Sequence, residues 1–323
     1  MARLLIIGGS GFFGKSFLDA YRRTLLKKWS IDSITILARN AKDLHLTHPH
    51  LIGNSVSLLN CDITVCDDLP EADFIIHAAA STNAKNYLLY SEKEKQNILA
   101  GVYNYRKLAK SLHSGSQILY CSSGAVYGPQ RLGISEIHEG YTEGMIEHIA
   151  VNKHDYAIAK INSENVIKAM GSDDGLSVCI ARCFAFVGAY LPLDQHFAIG
   201  NFIADGLSGV PVNVKADRKV YRSYMYMDDL VLWLMTMVSN ARPSCPIWNV
   251  GSDQPIEIMD LASKIASIFD VSIFAPKLRD TPEIDRYIPC IQKAKAELGL
   301  ELNVDLDEAI RKTINQISKN PII

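Results

Sequence analysis

Residues 3–14, Arg-Leu-Leu-Ile-Ile-Gly-Gly-Ser-Gly-Phe-Phe-Gly, join a short apolar run to a glycine-rich turn. The run at 3–7 predicts a buried strand, and the residues after it have the spacing of a helix. Glycines in such a turn let backbone N–H groups approach a bound group closely, and the start of the helix adds a partial positive charge. The stretch therefore predicts a strand–turn–helix unit that binds the pyrophosphate of a dinucleotide through Gly8, Gly11, Phe12, Phe13 and Gly14.

The alternation of short apolar runs and helical stretches continues along the first half of the chain. Apolar runs cover 3–7, 33–38, 56–59, 73–77, 117–121 and 176–181. Helical patterns lie between them, at 14–28, 93–112 and 156–170. Runs that are mostly apolar suit strands buried on both faces, and their alternation with helices indicates parallel strands. We predict a Rossmann-type α/β fold with a doubly wound parallel sheet.

This alternation ends after Arg182, where a loop-rich stretch begins. We predict that residues 1–182 form the dinucleotide-binding domain and that residues 220–252 return to it. Residues 183–219 and 253–323 then form a smaller C-terminal region that binds the substrate.

The composition narrows the class of protein. The 323 residues are 48% hydrophobic and 21% charged, with a formal net charge of −2. These values indicate a globular protein and argue against a nucleic-acid partner. The apolar stretches are too short to cross a bilayer, and the seven cysteines form no CxxC pair. From these two features we expect a cytoplasmic protein without a membrane segment. His45, His48 and His50 have no carboxylate or cysteine at ligand spacing, so we expect no metal site.

The end of the second predicted strand bears on the choice of cofactor. A carboxylate there would bind the adenosine ribose and favour NAD, but the sequence has Arg39 and Asn40. The Arg39 guanidinium suits a 2′-phosphate, so it favours NADP, while NAD stays open. Asp62 and Ile63 follow the third strand, where the adenine is expected. The small residues after the fourth strand leave room for the cofactor; they are Ala78, Ala79 and Ala80.

Two tyrosines lie four residues before a lysine, a spacing that places both side chains on one helix face. They form the pairs Tyr103–Lys107 and Tyr156–Lys160. Only the second pair follows the strand that ends near Ser123, so only its helix can dock beside that serine. A tyrosine has a pKa of about 10, and a nearby ammonium and an oxidised nicotinamide favour its phenolate. We therefore predict Tyr156 as the base, Lys160 as the group that lowers the pKa of Tyr156 and holds the nicotinamide ribose, and Ser123 as the ligand of the substrate oxygen.

Together these features resemble the extended short-chain dehydrogenases/reductases of the NAD-dependent epimerase/dehydratase family, whose members mostly act on nucleotide sugars. The resemblance spans nearly the whole chain. It rests on Asn97 and on residues 8–14, 61–63, 77–80, 122–128, 156–160, 182–188, 222–230 and 293–299. It implies a nucleotide-diphosphate sugar as substrate and a homodimer that pairs through the helices at 93–112 and 156–170.

The resemblance also assigns individual site residues. It implies that Ser123, four residues before the tyrosine of the Val-Tyr-Gly motif, is the catalytic serine, with Ser122 as the weaker candidate. Arg222 matches the arginine that binds the diphosphate, and the alternative for it is an ion pair with Asp228 or Asp229. The other residues predicted at the cofactor are Cys121 and Phe184, and those predicted at the substrate are His196 and Asn201.

The two residues after Ser123 separate the reactions of the family. Members that eliminate water to form 4-keto-6-deoxy sugars carry Asp-Glu there, whereas Gly124 and Ala125 have no ionisable group. A 4,6-dehydratase is therefore disfavoured. We predict an epimerase that oxidises its sugar transiently at C4, in sugar-nucleotide and cell-surface polysaccharide metabolism. The alternatives are an NADP-dependent 4-ketoreductase or dehydrogenase, and a catalytically silent NADP(H)-binding regulator, against which the intact set of serine, tyrosine and lysine argues.

Overall fold

The computed structural model describes residues 2–80, 84–142, 144, 149, 151–195, 197–281 and 283–319. Its strands are β1 (Ala2–Ile7), β2 (Ile31–Ala38), β3 (Val56–Asn60), β4 (Phe74–His77), β5 (Gln117–Ser123), β6 (Ser177–Cys183), β7 (Phe186–Val187), β8 (Val212–Asn213), β9 (Lys219–Arg222), β10 (Met225–Tyr226), β11 (Ile247–Val250), β12 (Ile256–Glu257), β13 (Ile273–Phe274) and β14 (Ile284–Tyr287). Its helices are α1 (Phe12–Arg22), α2 (Leu44–Thr47), α3 (Ala84–Leu112), α4 (Val151–Ser172), α5 (Ala198–Leu207), α6 (Met227–Val238), α7 (Ile258–Phe269), α8 (Gln292–Leu298) and α9 (Leu306–Lys319).

Seven strands form one parallel sheet in the order β3-β2-β1-β4-β5-β6-β11. The chain winds from β1 outward to β3 on one side, then crosses to β4 and winds outward on the other side. This topology confirms the predicted doubly wound fold, and each of the six predicted apolar runs forms a strand of the sheet. In sheets of this kind the binding crevice lies at the carboxyl ends of the strands, where the winding reverses.

The sheet is buried on both faces, as its apolar strands predict. Leu4 and Ile6 point to one face and Leu5 and Ile7 to the other, and all four are at most 1% exposed. Side chains of α1 and α6 cover the first face, and side chains of α3 and α4 cover the second. Burying one such leucine or isoleucine side chain contributes about 1.5–3 kcal/mol.

The first helix is shorter than its sequence pattern predicts. The predicted helix extends to residue 28, but α1 ends at Arg22. Two residues later Thr24 has a φ of 64°, in the left-handed region, and this conformation does not continue a right-handed helix.

The second half of the chain adds small sheets beside the main one. β9 lies between β12 and β14, and it runs parallel to β14 so that Arg222 is opposite Tyr287. β11 joins the edge of the main sheet next to β6. The division of the chain into two domains stays a prediction. Within the residues that the structure describes, no helix has both the length and the apolarity needed to span a bilayer.

Candidate active site

The glycine-rich turn between β1 and α1 forms a cradle that side chains would fill. Gly8 has a φ of 84°, and a Cβ there would lie 2.5 Å from the Cα of Ala79. A Cβ on Gly14 would overlap the carbonyl group of Gly9. Gly11 faces open space, because the nearest atom to a Cβ there is 4.0 Å away. Backbone N–H groups at the start of α1 are therefore accessible beside a surface without side chains, which fits a pyrophosphate.

The two phenylalanines of this turn contribute backbone rather than rings. The ring of Phe13 packs edge-on against Phe186 at 5.5 Å, and the ring of Phe12 lies 6.3 Å from Phe186. Their side chains thus anchor the start of α1 on the protein core. Only their N–H groups remain for an anion.

The residues predicted around the adenosine line the same edge of the sheet. Ser10 Oγ donates to Asn40 Oδ1 at 2.9 Å, which ties the glycine turn to the end of β2. Arg39 is exposed and makes no hydrogen bond to another described residue. The Asp62 carboxylate accepts from the backbone N–H of Thr64 at 3.0 Å and from its hydroxyl at 2.9 Å, so it fixes the turn after β3. Ile63, next to it, is buried. The small residues after β4 are half-buried: Ala78 and Ala79 border the glycine turn at Gly8, and Ala80 packs against Ile98 and Ala159.

Ser123, Tyr156 and Lys160 meet at the end of β5. The Ser123 hydroxyl is close enough to Tyr156 to lower the pKa of its phenol, and Ser123 Oγ accepts from the N–H of Ala125 at 3.2 Å. Lys160 Nζ lies 5.8 Å from the centre of the Tyr156 ring. Because Lys160 follows Tyr156 by one helical turn on α4, both side chains face β5 together.

The pKa of Tyr156 is shifted in two opposing directions. Burial raises the pKa of Tyr156, whereas the Lys160 ammonium and the nearby Ser123 hydroxyl lower it, and the pKa remains above its ordinary value. The predicted lowering by Lys160 is therefore present, but by itself it is smaller than the effect of burial. The phenolate needs a further positive charge in the site.

Lys160 is held by β5 itself. Its Nζ donates to the Cys121 carbonyl oxygen at 2.8 Å and to the Tyr120 hydroxyl at 3.2 Å, and Lys160 is 2% exposed. Cys121 therefore contributes its carbonyl, while its thiol lies buried against Cys183. His77 packs on Tyr120 from behind, 5.5 Å between ring centres. Burial and the Lys160 ammonium lower the pKa of His77 to about 3, so it stays neutral.

Ser122, the weaker candidate for the catalytic serine, points away from Tyr156. Its hydroxyl donates to Glu164 Oε1 at 2.7 Å. The same carboxylate accepts from Arg182 Nε at 2.9 Å and Arg182 Nη2 at 2.7 Å. Consecutive residues of a strand face opposite sides of a sheet, which is why Ser122 reaches this buried ion pair and Ser123 the site.

Tyr287 is a member of the site that the sequence patterns do not predict. Burial raises the pKa of Tyr287 and the nearby Ser123 hydroxyl lowers it, and the Tyr287 ring lies 4.6 Å from that of Phe184. A Cβ on Gly124 would lie 2.5 Å from the Tyr287 hydroxyl. The space directly after Ser123 is thus filled by a phenol from β14, which arrives through the pairing of β14 with β9.

Arg222 forms an ion pair, but with a different partner from the two that the sequence suggests. Its guanidinium binds both carboxylate oxygens of Asp285 at 3.1 Å. Asp228 instead pairs with Arg23. Asp229 accepts the backbone N–H groups of residues 303 and 304 at 3.0 and 3.2 Å. Both aspartates lie at the start of α6, where the chain leads them away from Arg222.

The last two predicted substrate residues precede or begin α5. His196 lies outside the described residues. Asn201 is half-buried in the first turn of α5, and its side chain makes no hydrogen bond to another described residue.

A glycine turn open to a dinucleotide and a serine, a tyrosine and a lysine that meet at the end of β5 share one edge of a doubly wound sheet, as in enzymes of the short-chain dehydrogenase/reductase class. Residues 4–251 match the model of the NAD dependent epimerase/dehydratase family. The chain belongs to this family, as its motifs predict.

Curated relatives cover nearly the whole chain at low identity. UDP-glucuronic acid decarboxylase 1 of Danio rerio is 29% identical, over 98% of this chain and 73% of that protein. UDP-glucuronic acid decarboxylase 5 of Arabidopsis thaliana is 28% identical, over 95% of this chain and 87% of that protein.

Solved structures of other proteins share the fold. A UDP-glucose 4-epimerase of Thermotoga maritima, with UDP-glucose, superimposes with a TM-score of 0.80 at 18% identity, over 98% of this chain and 99% of the other. A dTDP-glucose 4,6-dehydratase of Streptomyces venezuelae, with NAD bound, gives a TM-score of 0.80 at 20% identity, over 98% and 97%. At these identities the similarity shows the fold and leaves the reaction open.

Proposed function

We propose that the protein is an epimerase that oxidises the C4 carbinol of a nucleotide-diphosphate sugar and reduces the ketone from its other face. The observation that carries this proposal is that Ser123, Tyr156 and Lys160 meet at the edge of the sheet that holds the glycine turn, with Lys160 Nζ 5.8 Å from the centre of the Tyr156 ring. A nicotinamide dinucleotide held by that turn would supply the acceptor and donor of hydride. The matched family and the relatives' named substrates support a sugar nucleotide.

The chain's own residues then handle one proton. Tyr156 takes the hydroxyl proton of the sugar as C4 is oxidised and returns it on reduction, while Ser123 donates to the same oxygen. Lys160 and Ser123 are the described groups that lower the pKa of the half-buried Tyr156. Both are therefore needed for the phenolate, together with the positive charge of the oxidised cofactor.

Elimination chemistry has little support at this site. Gly124 and Ala125 carry no carboxyl group, and the hydroxyl of Tyr287 fills the space beside Gly124. A 4,6-dehydratase needs an acid and a base next to C5 and C6, in addition to the tyrosine. Hydride exchange at C4 needs neither.

The curated relatives favour a second candidate, decarboxylation of a nucleotide-linked uronic acid. Oxidation at C4 turns such a sugar into a β-keto acid, which loses CO₂ without a further base. The site should then offer a cation to the sugar carboxylate. Among the described residues near Ser123, Lys160 donates to Tyr120 and Cys121, and Arg222 is paired with Asp285. The described side chains that line the sugar position, Phe184 and Tyr287, are uncharged, so we place the epimerase first.

The cofactor is the second open point. Arg39 is exposed at the end of β2, where it is free to pair with a 2′-phosphate, and this favours NADP. An NADP-dependent 4-ketoreductase would use the same three residues and differ in exchanging its cofactor. Arg39→Asp should then weaken NADP binding at least tenfold relative to NAD, measured by calorimetry.

One set of incubations separates these reactions. The protein is given NAD or NADP with UDP-glucose, dTDP-glucose or UDP-glucuronic acid, and products are followed by NMR while the nicotinamide absorbance is recorded. A C4 epimer without net change in absorbance is expected. Release of CO₂ from the uronic acid supports the decarboxylase, and a stoichiometric change in absorbance supports the reductase. The proposal is contradicted if none of these pairs gives a product or a change in absorbance.

The tyrosine pair provides a matched control. Tyr156→Phe should reduce turnover by about 10²-fold or more and leave cofactor affinity nearly unchanged. Tyr103→Phe removes the same hydroxyl from the other tyrosine–lysine pair, at a side chain that is 58% exposed on α3, and should change neither. Equal activity of the two variants contradicts the assignment of the base.

A further inference from the structure

Strand β14 brings a carboxylate onto Arg222, the arginine that the family resemblance assigns to the diphosphate of the substrate. Nη1 and Nη2 of Arg222 donate to Oδ1 and Oδ2 of Asp285, each at 3.1 Å. This two-pronged geometry is also the one that a guanidinium offers to phosphate oxygens. Asp285 therefore uses the same N–H groups that a diphosphate would use.

The carboxylate is not required to orient Arg222. Nη1 of Arg222 also donates to the carbonyl oxygen of Tyr221 at 2.8 Å and to that of Asp285 at 3.3 Å. Both acceptors belong to the backbone of paired strands, β9 and β14, and would remain if the carboxylate were replaced. What the Asp285 side chain adds is a negative charge on an arginine that is already in place.

Arg218 can pair with Asp285 when another anion binds Arg222. Nη2 of Arg218 lies 3.8 Å from Asp285 Oδ2, and Nη1 of Arg218 lies 3.3 Å from Glu283. Displacement of the carboxylate from Arg222 would thus leave Asp285 paired rather than alone. The side chains of Asp285 and Arg222 are 35% and 23% exposed, so they have room to separate.

We propose that Asp285 is a specificity-determining residue, an internal competitor that a diphosphate must displace from Arg222. This inference rests on the proposed function. Because of Asp285, an anion gains from Arg222 only when it binds more strongly than a carboxylate already held by two N–H groups. Diphosphates meet this condition better than singly charged anions, since they carry more charge and more acceptor oxygens.

Binding of UDP and of dTDP to Asp285→Asn tests the competition, with uridine as the phosphate-free control. The asparagine keeps the size of the side chain and removes its charge. A partly exposed ion pair is worth about 1 kcal/mol, so the variant should bind UDP or dTDP about fivefold more tightly by calorimetry. The gain should shrink at high salt, and uridine should show none.

Two further variants keep the result interpretable. Arg222→Gln should bind the diphosphate more weakly, and Asp285→Asn should bring no gain on that background, as a double-mutant cycle requires. Asp307→Asn is the matched control: it removes a carboxylate of α9 from an exposed ion pair with Lys264 of α7, and should leave the affinity for UDP and dTDP unchanged. Thermal unfolding checks that each variant is folded.

The outcomes separate the two proposals. Equal or weaker diphosphate binding by Asp285→Asn, with normal binding by the unaltered protein, overturns the competition and leaves the proposed function standing. A gain that persists in the Arg222→Gln background also overturns it. If neither the unaltered protein nor Asp285→Asn binds UDP or dTDP, both proposals fail together.

Discussion

A methyl group on Gly124 is a direct test of how the site is packed. The Cβ of an alanine there would lie 2.5 Å from the hydroxyl oxygen of Tyr287 and 2.8 Å from Cζ of Phe184. Ordinary contacts begin at 3.4 Å, so both rings must move. Because the two rings are 4.6 Å apart and Gly124 is buried, neither can retreat without displacing the other.

The expected magnitude follows from the overlap. Overpacking a buried position costs about 1–3 kcal/mol, and two blocked neighbours place Gly124→Ala in the upper half of that range. Gly115→Ala is the matched control, since no atom lies within 4 Å of a Cβ there, and it should change the free energy of unfolding by at most about 1 kcal/mol, in either direction. Turnover of Gly124→Ala should also fall, because moving Tyr287 displaces the phenol that lies beside Ser123.

Urea unfolding followed by tryptophan fluorescence gives both free energies. A second background isolates the closest contact. Tyr287→Phe removes the oxygen at 2.5 Å and keeps the ring against Phe184, so Gly124→Ala should cost less there than in the unaltered protein. The packing argument is refuted if Gly124→Ala is as stable as Gly115→Ala, or if Tyr287→Phe gives no relief.

Three other predictions test single contacts. Ser122→Ala loses a hydrogen bond to a buried carboxylate, so it should lower the free energy of unfolding by about 1.5–3 kcal/mol and keep turnover. Ser123→Ala should mainly lower turnover, and unfolding and kinetic assays of the two variants check this. The pKa of His77 is about 3 in the folded protein and about 6.5 in the unfolded chain, so the stability present above pH 6.5 is lost as the pH falls toward 3. Between about pH 6 and 5 this histidine makes the free energy of unfolding fall by about 1.4 kcal/mol per pH unit. His77→Leu should remove this slope, and His45→Gln, at an exposed position, should not. Tyr120→Phe removes an acceptor of the buried lysine ammonium and keeps the ring, and should lower stability by about 1.5–3 kcal/mol in the same unfolding assay.

The parts of the molecule that were predictable from sequence are those set by local pattern. Short apolar runs separated by helices predict a parallel sheet, and the glycine-rich turn at 8–14 predicts which end of that sheet binds a dinucleotide. Local pattern does not separate Ser122 from Ser123, and the choice of Ser123 rests on the family resemblance. Consecutive residues of a strand face opposite sides, and the contact of Ser122 with Glu164, which is distant in sequence, decides which of the two serines turns that way.

The rest of the site depends on contacts between distant parts of the chain. Tyr287 and Asp285 enter through the pairing of β14 with β9, and no local spacing links β14 to the end of β5. The partner of Arg222 was missed for the same reason. Sequence proximity favoured Asp228 and Asp229, but the helix that begins at Met227 turns their carboxylates toward α1 and toward residues 303–304.

Gly124, which follows Ser123, and Tyr287 on β14 therefore belong to one packed contact, although they are far apart in the sequence. A carboxylate at residue 124 and a phenol at residue 287 would compete for the same space, because the first atom of any side chain there meets the Tyr287 hydroxyl. Gly124→Asp alone should accordingly give a strained site and no elimination of water. An acidic side chain would fit at residue 124 only if Tyr287 were replaced by a smaller residue in the same protein. The missing carboxyl is thus a property of the packed site as a whole, which is why we infer from it a reaction that returns its hydride to C4.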